Sequence, residues 1–441
     1  MRRSTPDESG KDARGRVFAA GGAERVLDAL ARPVRAAFPW AEPILTVGVT
    51  GTNGKTSTTH LLAAMLSAAG QHVVCESTLG HFFDGDRVVI ERSMRGFFAS
   101  MQRAAAADFR HAVVEVTSKA LLNGYAEKWR FDHGLFTNLT RDHVAEHGSW
   151  EHYLASKAQL FVHLGPGRCA VLNACDEPAL LLDRVIPPDV RRVWYGAPTR
   201  GLALRPADLA AERLEASLEG TLVRLAPSPL AEELHGELAL GLIGDVYGEN
   251  ALAAAAFALT NGLGARAVQA GARACSPLAG RFEVVRKRPY VVLDYAHTPD
   301  ALARTCDTAR RLAGSARLLV VFGAAGGYDS PKREAMGEAV GARADVAFVT
   351  NENPSHEDPR AIIDALERGC RRAGKAEVRV VVERAEAIRR ALDAARDGDF
   401  VLVTGRGRDE GMFTREGVVA YSDVHVIDAA VPLPQGPPPR R

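Results

Sequence analysis

The clearest pattern of apolar and polar positions begins at residue 44. Ile44 to Val49 form an almost unbroken apolar run, which is typical of a buried parallel strand. A polar, Gly-rich turn follows this run. Apolar residues then recur at helical spacing, at Leu61, Leu62, Met65 and Leu66. The pattern therefore predicts a strand, a tight turn and a helix in direct succession.

The alternation of strands and helices continues to about residue 277, as a mainly parallel sheet requires. Apolar runs predict strands at 44–50, 112–117, 133–138 and 169–173. Residues 195–245 are less regular, and we expect an antiparallel edge of the sheet there. Residues 245–263 are rich in alanine and predict a long helix.

A second series of short apolar runs begins near Arg281. The runs occupy residues 291–295, 318–322, 346–350, 378–382 and 400–403, and helical segments separate them. Such a series predicts a doubly wound, Rossmann-like α/β domain. The turn-forming segment 275–280 between the two series is the expected hinge.

Composition narrows the possible functions. Lys and Arg total 55 and Asp and Glu total 54, so no net charge favours a nucleic-acid partner, although a small charged substrate is compatible. No apolar run reaches the length of a membrane span, and the first ten residues lack the apolar core of a signal peptide. Six scattered cysteines without a C-x-x-C pair favour a reducing, cytoplasmic location.

The turn after the first strand has the residue types of a phosphate cradle. Its residues are Gly51, Thr52, Asn53, Gly54, Lys55, Thr56 and Ser57. Glycines let backbone N–H groups approach an anion, and the helix start adds favourable partial charge. Lys55 would reach the terminal phosphates of ATP, and Thr56 would offer its hydroxyl to Mg²⁺. The general phosphate-loop pattern has Gly where this chain has Val49, but Gly-Lys-Thr between a strand and a helix remains a strong signal.

Polar residues also follow two further predicted strands. Glu115 ends an apolar run at the sheet edge where the phosphate loop is expected, and Mg²⁺ prefers carboxylate oxygens near a nucleotide. Asn138 ends the next strand, and Asp142, His143 and His147 follow it closely. A single histidine is more often a hydrogen-bonded packing residue than a ligand. Together at one sheet edge, these residues indicate a site.

Several segments in this order resemble the Mur ligases of peptidoglycan synthesis, and among them the tripeptide synthetases. The segments are 51–56, 115–118, 137–143 with 147–148, 153–157, 280–281, 294–300 and 332–333, and the resemblance covers about residues 44–415. It implies a central P-loop ATPase domain and a C-terminal Rossmann-like domain. It also implies that a substrate carboxylate becomes an acyl phosphate, which an amino acid attacks to give an amide and ADP.

The resemblance implies a role for individual residues of the central domain. Lys55 and Thr56 would contact the γ-phosphate and a first Mg²⁺. Glu115 and His143 would hold metal, with His143 at a second Mg²⁺. Lys157 matches a lysine that is carbamylated in this family, which would make it an anionic metal ligand, and Asn250 matches an asparagine that contacts adenine.

The resemblance extends to the C-terminal domain. Arg281 and Asp294 would reach the phosphates and the ribose, with His297 nearby, and Lys332 and Arg333 would contribute to the closed site. The predicted catalytic residues are therefore Lys55, Lys157, His143, Lys332 and Arg333. The predicted domains are a disordered N-terminus with a short helix at 1–43, the ATPase domain at 44–277, the Rossmann-like ligase domain at 278–430 and a Pro-rich tail at 431–441.

Positions that would read the substrate depart from the family. Only about 44 residues precede the first strand, too few for the family's UDP-binding domain. Residues 91–95 replace the Thr-Thr-Pro substrate loop, Lys119 replaces a histidine, and Tyr125 replaces a substrate-binding arginine. Ser355 replaces the arginine that would clamp the distal carboxylate of meso-diaminopimelate. The late Gly-Lys-Gly-His-Glu motif reads Gly-Arg-Gly-Arg-Asp at 405–409.

We interpret the chain as an ATP- and Mg²⁺-dependent ligase that joins an amino acid to a small-molecule carboxylate acceptor different from the family's own, or adds a different amino acid. A folylpolyglutamate-synthase-like ligase is one alternative, although segments 138–143 and 294–299 argue against it. A non-catalytic nucleotide-binding or regulatory NTPase is another. Retention of Glu115, His143, Lys157 and Lys332 disfavours it, since binding alone hardly needs a second metal site.

Overall fold

The computed structural model describes residues 44–140, 147–275, 277–327 and 329–430. The predicted disordered N-terminus and its helix, the Pro-rich tail and His143 lie outside these ranges. The chain divides between Pro277 and Leu278 into two compact units. Each unit has its own mainly parallel sheet with helices between the strands, so the predicted α/β class is confirmed.

The described part of the first unit contains an eleven-stranded sheet. Its strands are β1 (Leu45–Thr50), β2 (Val73–Ser77), β3 (Gly80–Phe83), β4 (Asp86–Val88), β5 (His111–Glu115), β6 (His133–Phe136), β7 (Cys169–Asn173), β8 (Arg191–Gly196), β9 (Leu209–Ser217), β10 (Gly220–Leu225) and β11 (Glu237–Leu240). Their order across the sheet is β11-β10-β9-β8-β7-β6-β1-β5-β2-β3-β4. The strands from β9 to β2 in this order are parallel, and both edges are antiparallel. The antiparallel edge predicted within 195–245 is thus confirmed.

The helices of the first unit are α1 (Lys55–Ala68), α2 (Met94–Ala106), α3 (Ser118–Leu122), α4 (Tyr125–Lys128), α5 (Trp150–Val162), α6 (Glu177–Asp183), α7 (Pro229–Glu233), α8 (Asp245–Thr260) and α9 (Ala265–Ala274). A 3₁₀ turn covers Pro198–Arg200. The apolar side chains that predicted α1 are buried, and each such burial contributes roughly 1.5–3 kcal/mol. Gly271 lets α9 approach α1 closely, because a Cβ there would lie 2.4 Å from the Cα of Met65.

The centre of this sheet positions the candidate site. Strand β1 lies between β5 and β6, and its register pairs Val49 with Glu115 and Thr50 with Phe136. Because all three strands are parallel, their carboxyl ends meet at one edge, where ligands of open α/β sheets bind. The turn at 51–54, Glu115 and the segment after Phe136 therefore share this edge.

The second unit is a doubly wound domain. Its strands are β12 (Glu283–Lys287), β13 (Tyr290–Asp294), β14 (Leu318–Phe322), β15 (Val346–Val349), β16 (Glu377–Val380), β17 (Phe400–Thr404), β18 (Gly411–Thr414) and β19 (Gly417–Ala420). Its helices are α10 (Pro299–Ala313), α11 (Lys332–Gly341), α12 (Pro359–Ala373), α13 (Arg384–Ala394) and α14 (Asp423–Ala429). The sheet order is β12-β13-β17-β14-β15-β16, antiparallel only at β12, and β18 and β19 form a separate hairpin.

A buried ion pair connects two helices of the second unit beside its sheet. The guanidinium of Arg384 donates two hydrogen bonds to Asp423, at 2.8 and 2.7 Å, and both side chains are almost fully buried. Burial lowers the pKa of Arg384, but the attraction of Asp423 outweighs it and the net shift is upward. A further bond from Arg384 to the carbonyl of Thr404 ties α13 and α14 to the end of β17.

The strands predicted from apolar runs are present, with ends that differ by a few residues. Strands β2, β3 and β4 were not predicted, because polar Glu76 and Ser77 end the short apolar run of β2, and β3 and β4 have only four and three residues. All six cysteines lie in the described part of the chain and are thiols. None of the described helices is both long enough and apolar enough to cross a membrane.

Candidate functional site

Two glycines shape the turn between β1 and α1. Gly51 has φ 151° and Gly54 has φ 88°, in the region that favours glycine. A Cβ on Gly51 would lie 1.8 Å from Oγ1 of Thr137, and a Cβ on Gly54 would lie 2.3 Å from Oδ1 of Asn250. Any side chain at either position would therefore deform the turn.

Residues just after β6 hold the turn through hydrogen bonds. The N–H of Thr52 donates to the carbonyl of Asn138 at 2.7 Å, and the N–H of Asn53 donates to Oδ1 of the same residue at 3.0 Å. In return, the amide of Asn138 and the hydroxyl of Thr137 both donate to the carbonyl of Asn53. Asn138, which the sequence placed in the site, thus holds the loop in shape.

The start of α1 is arranged for an anion. Among the described residues, no side chain caps this helix, and its N-cap is the left-handed Gly54. The first N–H groups of the helix therefore point toward the turn, as they do in phosphate-binding helices. Lys55 folds over the turn, and its Nζ donates to the carbonyl of Thr52 at 2.8 Å. Ser57 is buried in the first helical turn.

Thr56 and Glu115, two of the predicted metal ligands, are in direct contact. The hydroxyl of Thr56 donates to Oε2 of Glu115 at 2.8 Å. Thr78, in the turn after β2, donates to the same oxygen through its N–H at 2.9 Å and its hydroxyl at 3.3 Å. Hydroxyl and carboxylate oxygens beside a phosphate cradle are the donors that Mg²⁺ takes. The residues therefore fit a magnesium ion bound with ATP.

Lys157 lies beside the same turn. It is 1% exposed, and its Nζ donates to the carbonyl of Gly51 at 2.8 Å. The ammonium also lies 4.5 Å from the ring centre of Tyr153, one turn earlier on α5. The hydroxyl of Tyr153 in turn shares a hydrogen bond with Oγ1 of Thr52 at 3.0 Å. The sequence gives no local signal for so buried a lysine.

Asn250 is the residue of α8 that reaches the turn. Its side chain is 3% exposed and packs against Gly54, and its Nδ2 has no hydrogen-bond partner among the described residues. A buried donor without a partner is costly, and a ligand group could satisfy it. The next residue back, Glu249, accepts a hydrogen bond from Asn173 at 3.0 Å, which ties α8 to the end of β7.

The structure thus gathers Lys55, Thr56, Glu115, Lys157 and Asn250 around one turn. Within the described ranges, no group of three or more His, Cys, Asp or Glu side chains is placed to hold a metal. His143 lies outside those ranges, so its predicted metal role stays a prediction.

In the second unit, Asp294 organises the segment that contains Arg281. The Asp294 carboxylate accepts hydrogen bonds from the N–H of Phe282 at 2.7 Å and of Ala296 at 2.9 Å. Burial raises the pKa of Asp294, and these hydrogen bonds oppose the rise. The guanidinium of Arg281 stacks on Tyr295, 4.3 Å from the ring centre. Nδ1 of His297 lies 2.7 Å from the carbonyl of Tyr295 and donates to it.

Lys332 and Arg333 begin α11 and are both buried. Arg333 donates two hydrogen bonds to Glu357, at 2.8 and 3.0 Å. This bidentate pair holds the pKa of Glu357 below its ordinary value. The guanidinium of Arg333 is therefore committed to Glu357, and its contact with a substrate stays a prediction.

The residues at departing positions have structural roles of their own. Tyr125, which stands in place of an arginine, packs against Phe97 and Phe131 in an aromatic cluster. Burial raises the pKa of its hydroxyl. Arg406, in the departing motif at 405–409, is fully buried and donates to Oδ1 of Asn353 at 2.6 Å and to the carbonyl of Gly411 at 2.8 Å. The side chains of Tyr125 and Arg406 are thus both engaged within the protein.

Known protein families and relatives match this chain over most of its length. Two family models match the chain, the Mur ligase middle domain over residues 49–258 and the Mur ligase glutamate ligase domain over residues 280–407. The UDP-N-acetylmuramoyl-L-alanyl-D-glutamate–2,6-diaminopimelate ligase of Aquifex aeolicus is 32% identical over 398 residues, 88% of this chain and 77% of that protein. The enzyme of the same name from Chromobacterium violaceum is 36% identical over 400 residues, 87% of this chain and 76% of its own.

Solved structures agree with this grouping. A UDP-N-acetylmuramoyl-L-alanyl-D-glutamate–2,6-diaminopimelate ligase structure has a TM-score of 0.58 and 28% identity, covering 88% of this chain and 78% of its own. Mycobacterium tuberculosis folylpolyglutamate synthase, solved with ADP and AMPPCP, has a TM-score of 0.62 at 20% identity and covers 87% and 92% of the two chains. At that identity the second likeness concerns the fold alone.

Proposed function

The chain belongs to the Mur ligase family, whose members are ATP-dependent ligases that form carbon–nitrogen bonds, and from this premise we propose that it joins an amino acid to a small-molecule carboxylate other than the family's usual acceptor, or joins a different amino acid to it. The observation that carries this proposal is the turn at 51–57. Lys55, Thr56, Glu115 and Lys157 surround that turn, while Tyr125 and Ser355 stand where substrate-reading arginines were expected.

The reaction requires two bond exchanges. A carboxylate oxygen of the acceptor attacks the γ-phosphorus of ATP, and the bond from that phosphorus to the ADP oxygen breaks. The nitrogen of the neutral amino acid then attacks the acyl carbon, the bond to phosphate breaks, and the nitrogen loses a proton. The first step depends on in-line placement and charge neutralisation rather than on a side-chain nucleophile.

The residues of the turn would perform these tasks. The N–H groups at the start of α1 and the ammonium of Lys55 would bind and orient the phosphates. Asn250 would bind the adenine through its amide, and Thr56 and Glu115 would hold Mg²⁺. When bound, Mg²⁺ neutralises charge on the phosphoryl oxygens. His143, Arg281, Asp294, His297, Lys332 and Arg333 keep the roles predicted by resemblance.

Lys157 is proposed to react with CO₂. The neutral amine would attack the carbon of CO₂, one C=O electron pair would move onto oxygen, and one proton would leave to solvent. The resulting carbamate would present anionic oxygens close to Gly51, where the ammonium now lies. We also expect a cytoplasmic location, where ATP and thiols coexist.

The test is a screen with purified full-length protein, ATP and Mg²⁺. Acceptors would include UDP-N-acetylmuramoyl-L-alanyl-D-glutamate and folate, and amino acids would include meso-diaminopimelate, L-lysine and L-glutamate. We expect a pair other than UDP-N-acetylmuramoyl-L-alanyl-D-glutamate with meso-diaminopimelate to give an amide product by mass spectrometry with stoichiometric phosphate release, and Lys55→Met to abolish both. Product from that one pair alone would contradict the proposed change of substrate. Product from folate with glutamate would support the folylpolyglutamate alternative. ATP binding without product from any pair would support a non-catalytic nucleotide-binding protein.

A further inference from the structure

His147 is buried between two segments that carry site residues. It is 6% exposed, its Nε2 lies 3.1 Å from Oγ of Ser118, and its Nδ1 lies 3.1 Å from Oγ of Ser156. Ser118 begins the helix that follows Glu115, and Ser156 immediately precedes Lys157 on α5. One imidazole therefore connects the end of β5 to the helix that carries the buried lysine.

The hydrogen-bond pattern assigns the imidazole proton. The hydroxyl of Ser156 donates its one proton to the carbonyl of His152 at 2.8 Å, so it accepts from Nδ1 of His147. In the neutral ring, Nε2 then accepts from the hydroxyl of Ser118. The backbone is fixed as well, because Nδ1 of His152 lies 3.3 Å from the carbonyl of His147 and donates to it. Both ring nitrogens of His147 are therefore engaged in hydrogen bonds.

The face of the same ring contacts Tyr153. The two ring centres are 4.9 Å apart at 38°. The ring of Tyr153 also contacts the ammonium of Lys157, and its hydroxyl shares a hydrogen bond with Thr52 of the phosphate turn. His147 thus restrains the position of Lys157 in two ways, through the backbone of α5 at Ser156 and through the ring of Tyr153.

We propose that His147 is a positioning residue, whose hydrogen bonds to Ser118 and Ser156 and whose contact with Tyr153 hold Lys157 against the carbonyl of Gly51. Burying the polar ring of His147 has a desolvation cost that an apolar residue would avoid. In exchange, its directional hydrogen bonds fix the positions of the groups that they join. The role of Lys157 in this inference rests on the proposed function. The position in which His147 holds Lys157 does not.

The experiment measures the protection of Lys157 from an amine-acylating reagent. Full-length wild type and His147→Asn would be labelled in bicarbonate-free buffer without nucleotide, and each lysine would be quantified by peptide mass spectrometry. Asn can place its amide near the position of Nδ1, but it is too short to reach Ser118 and has no ring to contact Tyr153. We expect Lys157 in this variant to react about tenfold faster than in wild type, as loss of the Ser118 hydrogen bond and of the ring contact predicts. Lys332, buried in the second unit, is the internal reference and should not change.

A matched control uses a second buried histidine of the first unit. His133 begins β6, at the opposite end of the strands from the turn, and its Nδ1 accepts from the N–H of Cys169 at 3.0 Å. His133→Asn should leave the labelling rate of Lys157 near wild type. Ser118→Ala and Ser156→Ala should each raise that rate by a smaller factor, and Ser118→Ala should add nothing in the His147→Asn background.

Two results would overturn the inference. Either Lys157 in His147→Asn labels at the wild-type rate, or Lys157 and Lys332 accelerate together, which would indicate general loosening. Failure of the proposed function appears elsewhere, as absence of amide product from the wild-type protein. If the ligase is active, His147→Asn should also lower the fraction of Lys157 that carries carbamate, read by ¹³C NMR with labelled bicarbonate, while His133→Asn should not.

Discussion

At the scale of single residues, Thr78 sets the direction of the Glu115 carboxylate. Its N–H and hydroxyl both donate to Oε2, the oxygen that also accepts from Thr56. With Oε2 held by these donors, the orientation of the whole carboxylate toward the phosphate turn is fixed. Partners of this kind tune metal affinity even when they do not touch the ion.

We therefore expect Thr78→Val to raise the Mg²⁺ concentration that half-saturates ATP-dependent phosphate release by about tenfold. Valine keeps the shape of threonine and the backbone N–H but removes the hydroxyl. Thr78→Ser keeps the hydroxyl and should remain within about twofold of wild type. Equal Mg²⁺ dependence in all three proteins would show that the hydroxyl does not orient Glu115.

Sequence reasoning found some of these residues and missed others for a physical reason. Thr56 and Glu115 were found because strand ends and helix starts can be located from apolar periodicity. The roles of Thr78 and Tyr153 were not predicted, because each depends on a contact with a residue distant in sequence, Glu115 for Thr78 and Thr52 for Tyr153. Asn138 was placed correctly at the edge, yet its amide serves the turn rather than a ligand.

At the scale of elements, the junction of β1 and α1 depends on the absence of a side chain at Gly54. Its φ of 88° is strained for any other residue, and a Cβ would meet Asn250 at 2.3 Å. Gly70, just after the C-terminus of α1, has a similar φ of 78°, but a Cβ there would meet nothing within 4 Å. Comparing a substitution at Gly54 with the same substitution at Gly70 therefore distinguishes the effect of backbone strain from that of steric contact.

We expect Gly54→Ala to weaken ATP binding, measured by isothermal titration calorimetry, by more than about tenfold, since it displaces both the first helical N–H groups and the amide of Asn250. Gly70→Ala should cost about 1 kcal/mol of stability through the same kind of backbone strain and leave ATP affinity unchanged. A comparable loss of affinity in both variants would mean that strain in α1, and not its contact with Asn250, controls binding.

Elements were predictable where burial imposed a pattern. Strands β1, β5, β6 and β7 are buried on both faces, so their apolar runs stand out in the sequence. Strand β3 is mostly buried, β4 and β19 have no buried position, and β18 mixes exposed and buried positions, each over only three or four residues. Their pairing is decided by neighbours distant in sequence, which local periodicity cannot report.

At the scale of the whole molecule, two α/β units follow one another along the chain, and similarity to the Mur ligases extends across both. Nucleotide-handling segments of that family are present, which is why the reaction class could be predicted from the sequence. Neither the acceptor nor the added amino acid could be predicted, because the positions that would read them hold Tyr125, Lys119 and Ser355 instead. Such positions specify a substrate only through the shape and charge they form together.

The stability of the first unit should also depend on pH through His133. Burial lowers the pKa of this histidine to about 4, from an ordinary value near 6.5. As pH falls through 6.5, His133 becomes protonated in the unfolded chain, whereas in the folded chain it stays neutral until about pH 4. The unfolded state therefore binds more protons in this window, and stability is lost as pH falls. Protonation of Nδ1 would also remove the acceptor for the N–H of Cys169.

His133→Asn keeps an acceptor near the position of Nδ1 but cannot titrate. Between pH 7.5 and pH 5, the free energy of unfolding of wild type should fall by about 2 kcal/mol more than that of the variant, because all other titrating groups are shared. Urea unfolding followed by tryptophan fluorescence isolates the relevant part of the chain, since all four tryptophans precede residue 277. If the two stability curves run parallel across this range, His133 does not stay neutral in the folded protein, and the burial argument for its pKa is wrong.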